Sequence, residues 1–257
     1  MKKSIEVNEA SAAKVLELVD AGLVQGLGQP RPGEMCVEAA VCFALGLPHD
    51  DDPQCVARAL REVMVRLNDA DWPSDAARAK GLRKLAVAQL GSLGVLDERE
   101  FAGRLVKVTI GKVLPQALRG AAAKCGDVAQ RSALEAAAVR CEVEQNREAA
   151  EASKTTARSA SGGAVAVDAA VAASTYAAAA SDYAADAAAC AAATVSASGM
   201  AAAASHNTAA AAAAAAKVFA GGKRAKILAL FAGDVLEILK EMGAPGCQWL
   251  PLCEVER

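Results

Sequence analysis

Cys36 stands at the start of a short apolar helix, behind a loop rich in glycine and proline. A thiol at a helix N-terminus is drawn toward the thiolate, the reactive form. Such a nucleophile also needs a base within reach. The chain has two histidines: His49 follows the same helix, and His206 lies in an alanine run. A thiol-dependent hydrolase would therefore rest on Cys36 and His49. Glu34 and Glu38 flank the thiol and oppose its ionisation, so the competing reading is a small buried thiol that packs its helix.

Other constellations are less complete. Cys36, Cys42, His49 and Cys55 together offer four zinc ligands, but zinc sites use tighter ligand pairs. Cys36 and Cys42 also point to different sides of a helix, so no metal or cofactor is expected. The run His49-Asp50-Asp51-Asp52 could hold a hard cation, yet Asp52 ahead of Pro53 reads more simply as the cap of a helix. Gly28-Gln29-Pro30-Arg31-Pro32-Gly33 has the outline of a phosphate-binding loop, but Glu34 and Met35 stand where Lys and Ser or Thr are needed. Arg58, Arg61, Arg66, Arg78, Lys80, Arg83 and Lys84 form one basic cluster, and Lys223, Arg224 and Lys226 a second. They support an anion- or nucleic-acid-binding regulator as an alternative, though a solvated helix face is the simpler reading.

Composition limits what can position these residues. Of 257 residues, 54% are hydrophobic and only 3% aromatic, and alanine supplies about a quarter. With so few bulky rings, a core must come from small side chains at short backbone distances. That favours helix on helix, since alanine is the best helix former and is depleted in strands. The net charge is −2 and the pI about 5.8, which gives no general attraction for nucleic acid. Eight cysteines without a CxxC pair suit a reducing cytoplasm, not a disulfide scaffold. Met1-Lys2-Lys3-Ser4-Ile5-Glu6 opens like a signal peptide but meets acids where an apolar core is needed. Charged and polar residues interrupt the alanine stretch, so no membrane span is expected.

Helices are expected over 9–20, capped by Asn8; over 34–45; from Asp52-Pro53 to Asn68; from Ser74 to Gly91 or Gly94; and from Asp97, with a kink or break near Pro115. Residues 127–160 read as one long charged helix. Residues 165–198 and 200–220 read as alanine helices divided at Gly199, and 223–242 as a conventional amphipathic helix. The apolar tail with Trp249, Leu250 and Leu252 is expected to dock on the body.

On a helical wheel Ala170, Ala173, Ala177, Ala180, Ala184, Ala188, Ala191 and Val195 form one stripe, opposite Asp168, Thr175, Asp182 and Asp186. This has the pattern of a coiled-coil seam built from alanine, in which small side chains let backbones approach closely. The expected architecture is all-α. It has a helical head (1–120), a region of long, closely packed alanine-rich helices (121–222), and a C-terminal helix with an apolar tail (223–257). The favoured function is a structural or protein-interaction module, a cytoplasmic helical bundle that self-associates through its alanine helices into a homo-oligomer or binds another protein.

Overall fold

The computed structural model describes residues 7–162, 168–193 and 197–254, and the side chains of Asp168, Ala197 and Ser198 are outside that description. The expectations placed on Met1–Glu6, on the side chain of Asp168 and on Val195 lie outside the described residues. The protein is all-α, and no strand occurs among the described residues. The helices are α1 (Glu9–Asp20), α2 (Val37–Ala44), α3 (Arg58–Asn68), α4 (Asp75–Ala88), α5 (Glu98–Val108), α6 (Leu114–Ala122), α7 (Val128–Glu144), α8 (Arg147–Ser161), α9 (Asp168–Ala192), α10 (Ala197–Lys217) and α11 (Gly221–Glu241). A π-helical turn, Thr109–Val113, joins α5 to α6, and a 3-10 segment, Pro245–Glu254, follows α11.

Local caps set several starts. Asn8 accepts from the Ser11 amide at 3.0 Å while Ser11 Oγ accepts from the Asn8 amide at 2.8 Å, a reciprocal capping box. Ser74 accepts from the Ala77 amide, and Asp97 from the amides of Arg99 and Glu100.

Four boundaries differ from the sequence expectation. The α2 helix begins at Val37, with Cys36 as its cap. The Asp52-Pro53 start is not used, and α3 begins at Arg58. Its first amides are satisfied by distant side chains: Ala57 N–H donates to Ser92 Oγ at 2.9 Å, and Ala59 N–H to Glu98 at 2.6 Å. Asp51 and Asp52 turn to Arg61 instead, at 2.6 and 3.5 Å. The charged run over 127–160 is two helices, because Gln145 adopts a left-handed conformation (φ 48°) and Asn146 caps α8 through the Ala149 amide. Gly199 lies inside α10 and does not divide the alanine helices. At Pro115, the widened π turn just upstream absorbs the missing donor, so the chain continues from α5 into α6.

The most alanine-rich helix is central. α10 packs against α9 on one side and α3 and α5 on another, and it also touches α6 and α11. Ala204, Ala209, Ala211, Ala212 and Ala215 are fully buried. A helix apolar all round suits such a position, and methyl groups alone let several neighbours approach it. α9 lies between α8 and α10. α11 returns to α4, and the C-terminal segment seats on α4 and α1, with Trp249, Leu250 and Leu252 half-buried there. Buried residues from Ala12 to Ala244 form one contiguous core across all three sequence regions. Among the described residues, no helix is long and apolar enough to cross a membrane.

Candidate functional site

A trough of about 600 Å³ runs between α4 and α11. Its floor is made by small residues spaced three or four apart: Ala77 and Gly81 on α4, and Gly222, Ala225, Ala229 and Gly233 on α11. Leu85 and Leu236 supply the larger apolar surface. Trp72 forms part of one wall, its indole N–H held by the Leu67 carbonyl at 2.8 Å. Gly81 makes room for that ring, since a Cβ there would lie 2.3 Å from it.

The rim is cationic. Lys80, Arg83 and Lys84 come from α4, and Lys226 from α11. The two basic clusters are about 140 residues apart in sequence and meet across this trough. Arg83 is already engaged, with Nε 2.5 Å from Asp20 and Nη1 donating to the Cys253 carbonyl at 2.6 Å. Arg224 pairs with Asp71. Lys80, Lys84 and Lys226 form no ion pair among the described residues, and all three are exposed. Arg58 and Arg66 do not line this trough; Arg61 serves the 50–52 loop, and buried Arg78 donates to the carbonyls of Asn68 and Leu23.

The head holds a second unusual group. Glu38 is fully buried in α2, and neither carboxyl oxygen has a well-formed hydrogen bond. Burial pushes its carboxyl up to about 8, against the weaker opposing pull of Gln89 and Arg61. It borders a cavity of about 30 Å³ shared with Cys36, Asp51, Asn68 and Asp69.

Cys36 and His49 are not hydrogen-bonded to one another. Cys36 Sγ accepts from the Ala39 amide at 3.3 Å, and His49 Nε2 lies 3.1 Å from the Gly28 carbonyl. Burial pushes the Cys36 thiol up to about 11, the opposite of activation, and Glu38 adds to the effect. Cys42 is pushed up to about 12 by burial, and Cys55 is raised for the same reason. Among the described residues no three His, Cys, Asp or Glu side chains are grouped to hold a metal, so Cys36, Cys42, His49 and Cys55 do not form a ligand set. All eight cysteines are free. His206 meets Glu62 at 3.3 Å and is not hydrogen-bonded to Cys36. Gly28 closes the 28–35 loop at φ 72°, opposite Met35 in an antiparallel bridge: Gln29 N–H donates to the Glu34 carbonyl at 2.7 Å and Cys36 N–H to the Leu27 carbonyl at 3.2 Å, and a Cβ on Gly28 would strike the Glu34 carbonyl.

The alanine stripe lies inside the single chain. Ala170, Ala173, Ala177, Ala180 and Ala184 are buried, while Ala188 and Ala191 are half-buried. Ser153 of α8 donates to Ser181 of α9 at 2.8 Å beside this stripe, and Asp182 receives Lys154 and Arg158 from α8. The methyl face is therefore filled by neighbouring helices of the same molecule.

Sequence reading identified both basic clusters but not their convergence. The available signal was the recurrence of Ala and Gly at helical spacing in both segments, beside the lysines. Glu38 was noticed only as a neighbour of the thiol; its signal was a lone acid within the apolar run Val37–Ala44. Compared with known proteins, the chain matches no family model, no curated protein and no solved structure.

Proposed function

We propose that this protein is a structural and protein-interaction module, and that the α4–α11 trough receives an acidic amphipathic helix from a partner protein. The observation that carries this reading is the convergence of three lysines, without an ion pair among the described residues, around an apolar floor of alanine and glycine. Such a floor admits bulky apolar side chains, while the rim favours carboxylates on either side of them. From Gly222 to Leu236 the wall is roughly 21 Å long at ~1.5 Å per residue, about four helical turns. A rod-shaped occupant fits that length, as in helix-in-groove recognition. The raised thiol of Cys36 and its separation from a hydrogen-bonded base give the hydrolase alternative no comparable support.

The test uses a fluorescently labelled synthetic helix with leucines on one face and glutamates beside them. Binding is expected, weakening steeply with salt and falling at least tenfold in Lys80→Glu/Lys226→Glu. Ala229→Trp, which fills the trough without changing charge, is expected to block the peptide as well. Equal binding to the parent and both variants would overturn the proposal. So would preferential capture of laurate by the parent protein, which would assign the trough to a fatty acid.

A further inference from the structure

The small cavity beside Glu38 lies where the loop carrying Gly26 and Leu27 meets the start of α2 and the end of α3, and it shares no lining residue with the α4–α11 trough. Its volume of about 30 Å³ admits one or two water-sized groups. Glu38, Asp51 and Asp69 all line it, and no Lys or Arg does. Hydrogen bonds fix its walls. Val37 N–H donates to Asn68 Oδ1 at 3.2 Å, Asn68 Nδ2 to the Val24 carbonyl at 2.9 Å, and Gly26 N–H to Asp69 Oδ1 at 2.8 Å. These bonds hold the cavity open in advance of a ligand.

Its side chains offer mainly acceptors. Glu38 is fully buried, yet neither carboxyl oxygen has a well-formed partner, and the same is true of the amide of Gln89 beside it. Asp51 gives Oδ1 to Arg61 at 2.6 Å, and Asp69 gives Oδ1 to Gly26 and Asn68. Oδ2 of each accepts no hydrogen bond among the described residues. Buried polar groups are satisfied in nearly all proteins, and a cation that carries its own hydrogens satisfies these. A metal ion needs oxygens drawn tightly around it, and these acids are not so grouped. An ammonium nitrogen reaches carboxylates at ~2.8 Å, against ~2.0–2.6 Å for hard metal ions, so it serves a wider ring. Leu27 and Val65 add apolar surface that suits a short alkyl chain. We infer that this cavity binds the head of a small primary alkylammonium ion, with Glu38 as its counter-ion.

Binding is coupled to a proton. Burial keeps Glu38 protonated up to about 8. A cation seated against it favours the carboxylate, so Glu38 releases its proton to solvent as the ammonium enters. Arg61, Asp51 and Asp52 also face Glu38, as do the thiols of Cys36, Cys42 and Cys55. Burial raises all three thiols, so they keep their protons at neutral pH. Affinity therefore rises about tenfold per pH unit up to about 8 and then levels, until the amine loses its own proton near ~10.

Titration with methylammonium chloride, followed by the NMR amide signals of Glu38 and Asp69, tests this. Potassium chloride and tetramethylammonium chloride at equal ionic strength are the references. Saturable shifts are expected from methylammonium alone, with a midpoint about tenfold lower at pH 7 than at pH 6. The infrared band of a protonated carboxyl at pH 7 should give way to carboxylate as methylammonium is added. Glu38→Gln, which mimics the neutral acid and is expected to fold, should lack that band and bind at least tenfold more weakly. Val65→Met, which fills the cavity without changing charge, should weaken binding as much. The proposal is overturned by unsaturable shifts, by a midpoint that ignores pH, or by equal binding in both variants. Equal shifts with tetramethylammonium would reduce the effect to surface screening, and equal shifts with potassium would assign the cavity to a bare monovalent ion; either overturns it too.

Discussion

α3 presents Leu60, Val63, Met64 and Leu67 to the core, while α10 presents Ala204, Ala209, Ala211, Ala212 and Ala215, and the two helices pack against each other. Bulky side chains fill a pocket around one face of α3. Methyl groups instead let α10 be covered on nearly every side. The head therefore holds its helices together through side-chain volume, and the alanine layer through closeness of backbones. Removing volume should hurt the first most, and adding it the second. Buried polar groups separate the regions further. The head encloses a carboxyl group, Glu38, whereas the α8–α9 contact encloses hydroxyls that bond to each other.

The largest effect is expected from truncation in the head. Leu60 is fully buried, and Leu60→Ala should cost about 2–5 kcal/mol by chemical denaturation, since a cavity adds to the lost transfer energy. A loss below ~1 kcal/mol would show that α10 can settle into the gap, erasing the distinction. Next comes expansion in the alanine layer. Ala180→Leu should cost about 1–3 kcal/mol although leucine is a good helix former, because it pushes α9 away from its neighbours. Asp182→Ala, which breaks a half-exposed ion pair, is the matched control and should cost ~1 kcal/mol or less. Equal effects for the two would mean that the methyl contact is loose.

The last effect, at Glu38, is read as a slope against pH and not as a loss at one pH. Its folded-state carboxyl titrates at about 8, well above the ordinary 4.5. Below 4.5 both states are protonated. Between 4.5 and about 8 the unfolded chain releases the proton and the folded one keeps it, so stability falls as pH rises, by at most ~1.4 kcal/mol per pH unit from this group. Glu38→Gln should flatten that dependence and stabilise the protein most near pH 8. An unchanged slope would mean that the carboxyl is solvated in the folded protein.

The helical class was legible because alanine and the 3.6-residue period point the same way throughout. Starts at Asn8, Ser74 and Asp97 were legible because each cap binds its own helix. The start of α3 was not, since Ser92 and Glu98 come from later segments and Asp52 looked like a sufficient cap. The break at Gln145 was hidden because a non-glycine residue takes the left-handed conformation. Lys80 and Lys226 were visible separately, but only the return of α11 along α4 makes them one rim. The direction of the alanine stripe depended likewise on tertiary structure, because a wheel cannot say whose helix faces it.

The central place of α10 has a consequence for synthesis. Ribosomes release the chain from its N-terminus, and roughly 150 residues separate the end of α3 from the end of α10. At ~5–20 residues per second, the apolar side of the nascent head waits roughly 7–30 s for the helix that covers it. Until then the side of α3 that packs on α10 stays uncovered on an unfinished chain, open to chaperones and to neighbouring nascent copies. A stop codon anywhere before Ala197 would thus do more than shorten the product: it would leave the head permanently without its cover.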